Sequence, residues 1–405
     1  MTISLPDADW RVRPGLDGLL AALGAADGLA RYVGGAVRDG LLGLPVNDLD
    51  IATSIAPRDV VDRLKKAGIK AVPTGIDHGT ITAVLPDGPV EITTLRRDVS
   101  TDGRRATIAY TDDWREDAAR RDFTINALYA DPLTGAISDY FGGIADLEAR
   151  RLRFIGDAAA RIAEDHLRIL RYFRFLARYG DNELDSSAYD ACVSAANSLM
   201  ALSRERIADE LLKLLGVAAP VPALRLMIKG GILRPVLPEV TMAGVDRVEG
   251  LIAREAQAGV PVPVSALRRL AALLPPDASL ADQVGARLKL SNKARKRMVV
   301  ALQADAGEDE PRGLAYRIGV EGAVDRLLLD PSQPLAAIAT LDGWSPPTLP
   351  IGGGALIARG LTPGPDVAKA LQQVQRQWVE EDFPDAERVA EIADQIVSKF
   401  QRARQ

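Results

Sequence analysis

Gly34-Gly35-Ala36-Val37-Arg38-Asp39, followed shortly by Val46-Asn47-Asp48-Leu49-Asp50-Ile51, is the stretch from which the rest of this sequence can be read. Arg31-Tyr32-Val33-Gly34 has the character of a strand running into a glycine turn. Paired glycines there either make an ordinary tight turn or bring backbone N–H groups close to a bound phosphate at a helix start. In the second case Arg38 adds a charged donor for a triphosphate. Residues two apart on a strand share a face, so Asp48 and Asp50 project together while Leu49 and Ile51 turn away. Neighbouring carboxylates repel and need solvent around them or a divalent cation between them. Mg²⁺ suits such a pair, since it takes hard oxygen ligands from one or two carboxylates and from substrate phosphates. Two such ions can hold an attacking 3′-oxygen, an α-phosphate and a leaving oxygen in line.

Working outward, Thr80–Leu85 and Pro89–Leu95 are rich in β-branched residues and flank Pro86-Asp87-Gly88, which predicts a hairpin. Glu91 on its second strand is either a third carboxylate that helps activate a 3′-hydroxyl or an outward-facing strand residue. Pro57 suits the first turn of a helix over 57–67. After about residue 144 the β signals fade, and Ala/Leu/Arg/Glu helical patterns alternate with Pro/Gly breaks. The organisation predicted is a mixed α and β head followed by a long helical body.

Two further segments carry chemistry. Arg120-Arg121-Asp122-Phe123-Thr124-Ile125-Asn126 places adjacent arginines before what reads as an apolar helix. Arg121 could reach nucleotide phosphates, and Asp122 and Asn126, four apart on one helical face, could hydrogen-bond ribose hydroxyls. The competing reading is a surface ion-pair cluster. In Glu164-Asp165-His166-Leu167-Arg168-Ile169-Leu170-Arg171-Tyr172-Phe173-Arg174 an arginine recurs every three residues within an apolar helix. Three residues turn through roughly 300°, so the stripe drifts around the helix. Burying those guanidinium groups requires partners, which an anionic ligand and Asp165 would supply. Asp165 and Arg168 together offer an acceptor and a fork of donors for a nucleobase edge. The alternative is a helix tied to its neighbours by salt bridges.

Taken together and in this order, the segments resemble the bacterial CCA-adding enzyme and poly(A) polymerase family, the class II tRNA nucleotidyltransferases. The resemblance runs over residues 31–210 and includes Gly142-Gly143-Ile144-Ala145-Asp146-Leu147 and Arg204-Glu205-Arg206-Ile207-Ala208-Asp209-Glu210. It implies an α+β fold: a nucleotidyltransferase head with a small mixed sheet over 1–143, a helical neck over 144–216, and a helical body and tail over 217–405 that bind tRNA. It implies Asp48 and Asp50 as Mg²⁺ ligands and catalytic residues, with Glu91 as a further catalytic candidate. Gly34, Gly35, Arg38 and Arg121 would hold the triphosphate. Asp165 and Arg168 would select CTP or ATP, with Arg171 and Arg174 nearby on the same helix. The expected reaction is untemplated addition of CCA to the 3′ end of tRNA with release of pyrophosphate. A poly(A) polymerase of the same family, or a non-catalytic RNA-binding relative, is the alternative. Thr74–Ala83 looks more like the CCA-adding members, and the polar segment 97–117 would supply the flexible loop thought to help switch from CTP to ATP.

Composition narrows the classes further. The single cysteine, Cys192, excludes an intramolecular disulfide, and only His78 and His166 are available, too few for a histidine-built metallohydrolase or an appended His-Asp phosphohydrolase domain. No Gly-x-Ser-x-Gly elbow accompanies either histidine. Met1–Arg13 carries Asp7 and Asp9 and lacks a signal-peptide pattern, and no run approaches the roughly 18 apolar residues of a membrane span, so a cytoplasmic protein is expected. Net charge is −5, so any nucleic-acid contact must come from a local basic surface. Arg287, Lys289, Lys293, Arg295, Lys296 and Arg297, without an intervening acid, are a candidate tRNA-backbone contact and equally a solvated helix face. Residues 350–371 loosely resemble the family's tail motif, with Gly354 where an Asp often lies.

Overall fold

A computed structural model describes residues 3–101, 106–180, 184–303 and 310–402. The chain forms two compact units, Met1–Val236 and Leu237–Gln405. The expected head and neck therefore lie in one unit, and the division falls after helix Val221–Lys229 rather than before it.

The first unit is built on a seven-stranded mixed sheet in the order β3-β4-β5-β2-β1-β8-β9. Its strands are β1 (Ala30–Val33), β2 (Asp50–Thr53), β3 (Lys70–Gly75), β4 (Thr80–Leu85), β5 (Gly88–Thr94), β8 (Leu128–Ala130) and β9 (Ile137–Asp139). The hairpin read from the β-branched runs is β4 and β5. Among the described residues, the one parallel pair, β2 with β5, sets Asp50 opposite Glu91. β2 starts at Asp50, so Asp48 sits on the approach to the strand; Leu49 and Ile51 are buried, as the alternation requires.

Segment 97–117 forms mainly a separate antiparallel ribbon, β6 (Arg96–Thr101) with β7 (Ala106–Tyr110), leading to helix Trp114–Ala119. The expected loop switch falls partly on 102–105, outside the described residues.

Helices α1 (Leu16–Ala22), α2 (Gly35–Leu41), α3 (Pro57–Lys66), α4 (Trp114–Ala119) and α5 (Gly143–Glu148) accompany the sheet, followed by α6 (Ala158–Glu164), α7 (Arg168–Tyr179), α8 (Ser186–Ser194), α9 (Arg204–Leu215) and α10 (Val221–Lys229).

Two local expectations are corrected. Residues 120–128 are not one helix. The chain leaves α4 at Arg120, bends at Arg121 and Asp122, is extended at Phe123, makes one 3₁₀ turn over Thr124–Asn126 and enters β8. Leu128, Tyr129 and Ala130 are fully buried, and a short strand buried on both faces lacks alternation and reads like a buried helix. The arginine-rich helix is also shorter than its pattern. It breaks at Asp165, whose backbone is extended (φ −152°, ψ 106°), and α7 starts at Arg168.

Ile169, Leu170, Tyr172, Phe173, Phe175, Leu176 and Tyr179 make the buried side of α7, which packs on α9 and α10. In the second unit, Met242–Gln257, Ala266–Leu273, Ala278–Arg287 and Asn292–Leu302 are among the helices, and a separate apolar cluster centred on Trp378 joins the C-terminal helices Pro365–Glu380 and Ala386–Arg402.

Gly143 explains how closely the start of the neck is held against the head. A β-carbon there would lie 2.3 Å from the Thr124 carbonyl oxygen. Gly143→Ala is expected to lower stability by about 1–3 kcal/mol through overpacking, measured by chemical denaturation, with nucleotide affinity weakened because the Thr124–Asn126 turn must shift.

Candidate active site

The glycine turn, the aspartate pair, the Arg121 segment and α7 converge on one cavity of about 1170 Å³ in the first unit. Gly34, Gly35, Arg38, Asp48, Asp50, Glu91, Arg121, Asp122, Asn126, Asp165, Arg168, Arg171 and Arg174 all line it. The chain is acidic overall, yet nine basic and five acidic side chains face this space. Positive charge is thus concentrated where an anionic ligand would enter.

On the sheet side, Gly34 takes a conformation open to glycine (φ 66°, ψ −121°), and a β-carbon there would come within 3.3 Å of the Arg121 guanidinium. Arg121 is held by Tyr129 Oη at 3.2 Å and by the buried Asp117 carboxylate at 3.4 Å. Arg38 donates to Asn126 Oδ1 at 2.5 Å and to Asp39 Oδ1 at 2.8 Å.

Asp48, Asp50 and Glu91 form the acidic edge. Burial, then the neighbouring Glu91 and Asp48 charges, push Asp50 up to about 6, with Arg121 partly offsetting them. Glu91 is exposed but faces the cavity, so its strand position and a role beside Asp50 are compatible. Among the described residues no three His, Cys, Asp or Glu side chains close into a metal cage. An open carboxylate set suits a hard cation that completes its shell with substrate oxygens.

Asp122 and Asn126 are brought together by the 3₁₀ turn rather than by helical spacing. Asn126 donates from Nδ2 to Asp122 Oδ1 at 2.9 Å, while Arg171 donates to Asp122 Oδ2 at 2.7 and 2.5 Å. Burial alone would raise the Asp122 carboxyl, but Arg171 and the Asn126 amide overcome it and hold it below the usual range. The two residues bridge Arg38 to Arg171, and only their remaining hydrogen-bonding capacity can meet a ribose.

The α7 arginines find protein carboxylates. Arg174 donates to Glu210 at 2.7 Å and Arg168 to Glu164 at 2.5 Å. Asp165 pairs with Arg206 Nη2 at 2.7 Å, not with Arg168, and its other oxygen accepts the Leu167 N–H at 3.1 Å. Arg206, Lys213 and Phe175 also line the cavity and had no assigned role from sequence; Glu210 lies behind them. The helical spacing Arg206, Glu210, Lys213 on α9 is the signal that could have found them.

Outside this unit, the arginines of the basic run are committed to ion pairs. Arg287 meets Glu239 at 2.6 Å, Arg295 meets Asp282 at 2.9 Å, and Arg297 meets the buried Asp325 at 2.6 Å. Lys289, Lys293 and Lys296 are exposed.

Comparison with known proteins agrees with this geometry. Residues 30–153 match the family described as the poly A polymerase head domain, and residues 183–243 match the probable RNA and SrmB-binding site of polymerase A. The mouse protein CCA tRNA nucleotidyltransferase 1, mitochondrial, is 32% identical over 395 residues, covering 93% of this chain and 89% of the relative. The chain belongs to the CCA-adding tRNA nucleotidyltransferase family. A Streptococcus pyogenes CCA-adding enzyme is 43% identical over 188 residues, 46% of this chain and 45% of that protein. The crystal structure of the Bacillus stearothermophilus CCA-adding enzyme in complex with CTP superposes with a TM-score of 0.74 at 27% identity, covering 96% of this chain and all of that one. The family fold, head with mixed sheet followed by helices, is the one observed. No helix among the described residues is long and apolar enough to cross a membrane, and the mouse relative's mitochondrial designation shows that the family is not confined to the cytoplasm.

Cation binding at the acidic edge should depend on pH, because a metal must displace the proton that Asp50 retains up to about pH 6. Apparent affinity for Mn²⁺, followed by calorimetry, is expected to weaken about tenfold from pH 7 to pH 5. An affinity unchanged across that range would show that Asp50 holds no proton there for a metal to displace.

Proposed function

We propose that this cavity performs the family's reaction, successive addition of C, C and A to the 3′ end of tRNA from CTP and ATP, with Mg²⁺ as the metal and the residue roles that follow. The observation that carries the reading is the meeting, in one space, of an open carboxylate pair, a glycine turn flanked by Arg38 and Arg121, and the Asp165–Arg168 end of α7. The cavity exceeds the roughly 300–1,000 Å³ of ordinary small-molecule pockets, which fits a nucleotide beside an RNA end.

The tRNA 3′-oxygen attacks the α-phosphorus, the bond from that phosphorus to the bridging oxygen breaks, and pyrophosphate leaves. Bound Mg²⁺ would supply Lewis-acid stabilisation of the attacking and leaving oxygens. Asp48 and Asp50 hold that charge in place. Glu91, opposite Asp50, takes up the hydroxyl proton in this reading. Gly34 and Gly35 let the triphosphate approach the backbone, and Arg38 and Arg121 neutralise it. Arg206 steadies the Asp165 carboxylate as an acceptor for the exocyclic amino group that cytosine and adenine share, while Arg168 donates to the ring nitrogen beside it and, in cytosine, to the 2-oxygen as well. Uracil and guanine present a carbonyl at the position of that amino group and set its oxygen against the Asp165 carboxylate, which disfavours them.

The decisive experiment incubates the protein with Mg²⁺, CTP, ATP and a tRNA ending at its discriminator base, then sequences the 3′ ends. Uniform CCA ends are expected; long A tails would mark a poly(A) polymerase, and no extension a non-catalytic binder. Asp48→Ala should abolish extension with a native-like melting profile, and near-normal turnover would remove Asp48 from the metal site. Asp165→Ala and Arg168→Ala should each let UTP or GTP compete, measured as the ratio of kcat/KM values, by at least about tenfold relative to the parent. Unchanged ratios in both variants would exclude base reading by this pair.

A further inference from the structure

Tyr179 lies at the last turn of α7 and does not line the cavity, yet it contacts the residue that would grip the triphosphate. The Arg38 guanidinium lies 4.1 Å from the centroid of the Tyr179 ring and 5.3 Å from that of Phe175. Tyr179 Oη donates to Asp39 Oδ1 at 2.9 Å, the oxygen that also accepts Arg38 Nε at 2.8 Å. Arg178 reaches the other Asp39 oxygen at 3.2 Å. Burial, offset in part by Arg38 and reinforced by Asp39, pushes the Tyr179 phenol up to about 12, so it remains a donor at neutral pH. Arg38 and Asp39 are both buried at 7% exposure, so few other groups compete for these contacts.

We infer that Tyr179 is a positioning residue for the triphosphate: it fixes the plane of Arg38 by stacking on it and by holding Asp39. The inference rests on Arg38 gripping the triphosphate. With its face against Tyr179, its Nε on Asp39 and its Nη1 on Asn126, Arg38 turns Nη2 toward Gly35 and the cavity, where a β-carbon on Gly35 would lie 3.7 Å from it. A stacked guanidinium keeps its donors in one plane, the geometry that two oxygens of a phosphate chain require.

The placement on α7 also has a consequence for fidelity. Arg168 and Tyr179 are the first and last residues of this twelve-residue helix, about 16 Å apart along its axis at about 1.5 Å per residue. One rigid element thus carries the base-reading fork at one end and the clamp on the phosphate grip at the other. The Arg38–Asn126–Asp122–Arg171 chain ties the same helix to the same arginine at a second point. α7 thus couples the base-reading end of the cavity to the phosphate grip.

The test uses the full-length protein with Mg²⁺ and compares Tyr179→Leu, Tyr179→Phe, Arg38→Ala and the double variant Arg38→Ala/Tyr179→Leu. Binding of CTP and of CMP is measured by calorimetry, and kcat and KM on a tRNA awaiting each nucleotide. Tyr179→Leu is expected to weaken CTP binding and raise KM for CTP and ATP alike by about tenfold, the scale of a desolvated cation–π contact, with CMP binding unchanged. Tyr179→Phe, which keeps the ring and loses the hydroxyl, should fall in between. In the Arg38→Ala background Tyr179→Leu should add nothing, because the clamp has nothing left to hold. Equal losses of CTP and CMP, additive effects in the double variant, or parent-like KM in both Tyr179 variants would each overturn the positioning role. If Arg38→Ala itself weakens CTP no more than CMP, the triphosphate role of Arg38 fails, and this inference with it.

Discussion

The arginines of α7 impose the constraint on which the first unit depends. A helix whose apolar side is buried and that carries the partly buried Arg168, Arg171 and Arg174 needs each of those charges met, and the exposed Arg178 finds a partner as well. The acceptors come from four different places in the chain: Glu164 just before the helix, Asp122 from the turn into β8, Glu210 from α9 and Asp39 from α2. Neutralising one helix thus fixes the glycine-turn helix, the β8 entry and the following neck helix around it. Removing a single acceptor would leave a partly buried guanidinium uncompensated, which costs more than the pair itself contributes.

That requirement also shapes the chemistry. Arg168, Arg171 and Arg174 are held at the edge of the cavity by these pairings, so they are preorganised before any ligand arrives. Little side-chain entropy then remains to be lost when an anion binds. At the opposite edge the arrangement is reversed. Asp50 has no basic partner close enough to overcome its burial and the Glu91 charge, so its carboxyl retains a proton to about pH 6. Saturated arginines beside under-compensated carboxylates give the cavity positive and negative edges that suit the nucleotide and metal proposed for it.

The second unit uses buried charge differently. Arg268 and Arg297 both bind the fully buried Asp325, and Arg268 and Arg269 share Glu255. These pairs tie helices together rather than face a cavity. They explain why a basic run that reads as a continuous contact surface is, for its arginines, mostly turned toward neighbouring carboxylates.

Much of this was legible in the chain itself. The glycine turn, the alternation Asp48-Leu49-Asp50-Ile51, the β4–β5 hairpin and the arginine spacing of α7 are local patterns, and local periodicity and turn chemistry report on the next few residues directly. They pointed to the mixed head, the helical remainder and many of the residues that line the cavity, but not to Arg206, Lys213 or Phe175. The tertiary structure decided what local pattern cannot encode. Asp122 and Asn126 share a site because of a 3₁₀ turn before a strand, not because of helical spacing, and β8 was hidden because both its faces are buried. Asp165 chose Arg206, some forty residues away, over Arg168 at the next turn, because the break in the helix points its carboxylate toward α9. The partner of a charge is settled by which element packs against it, and packing depends on the whole chain rather than on the residues nearby.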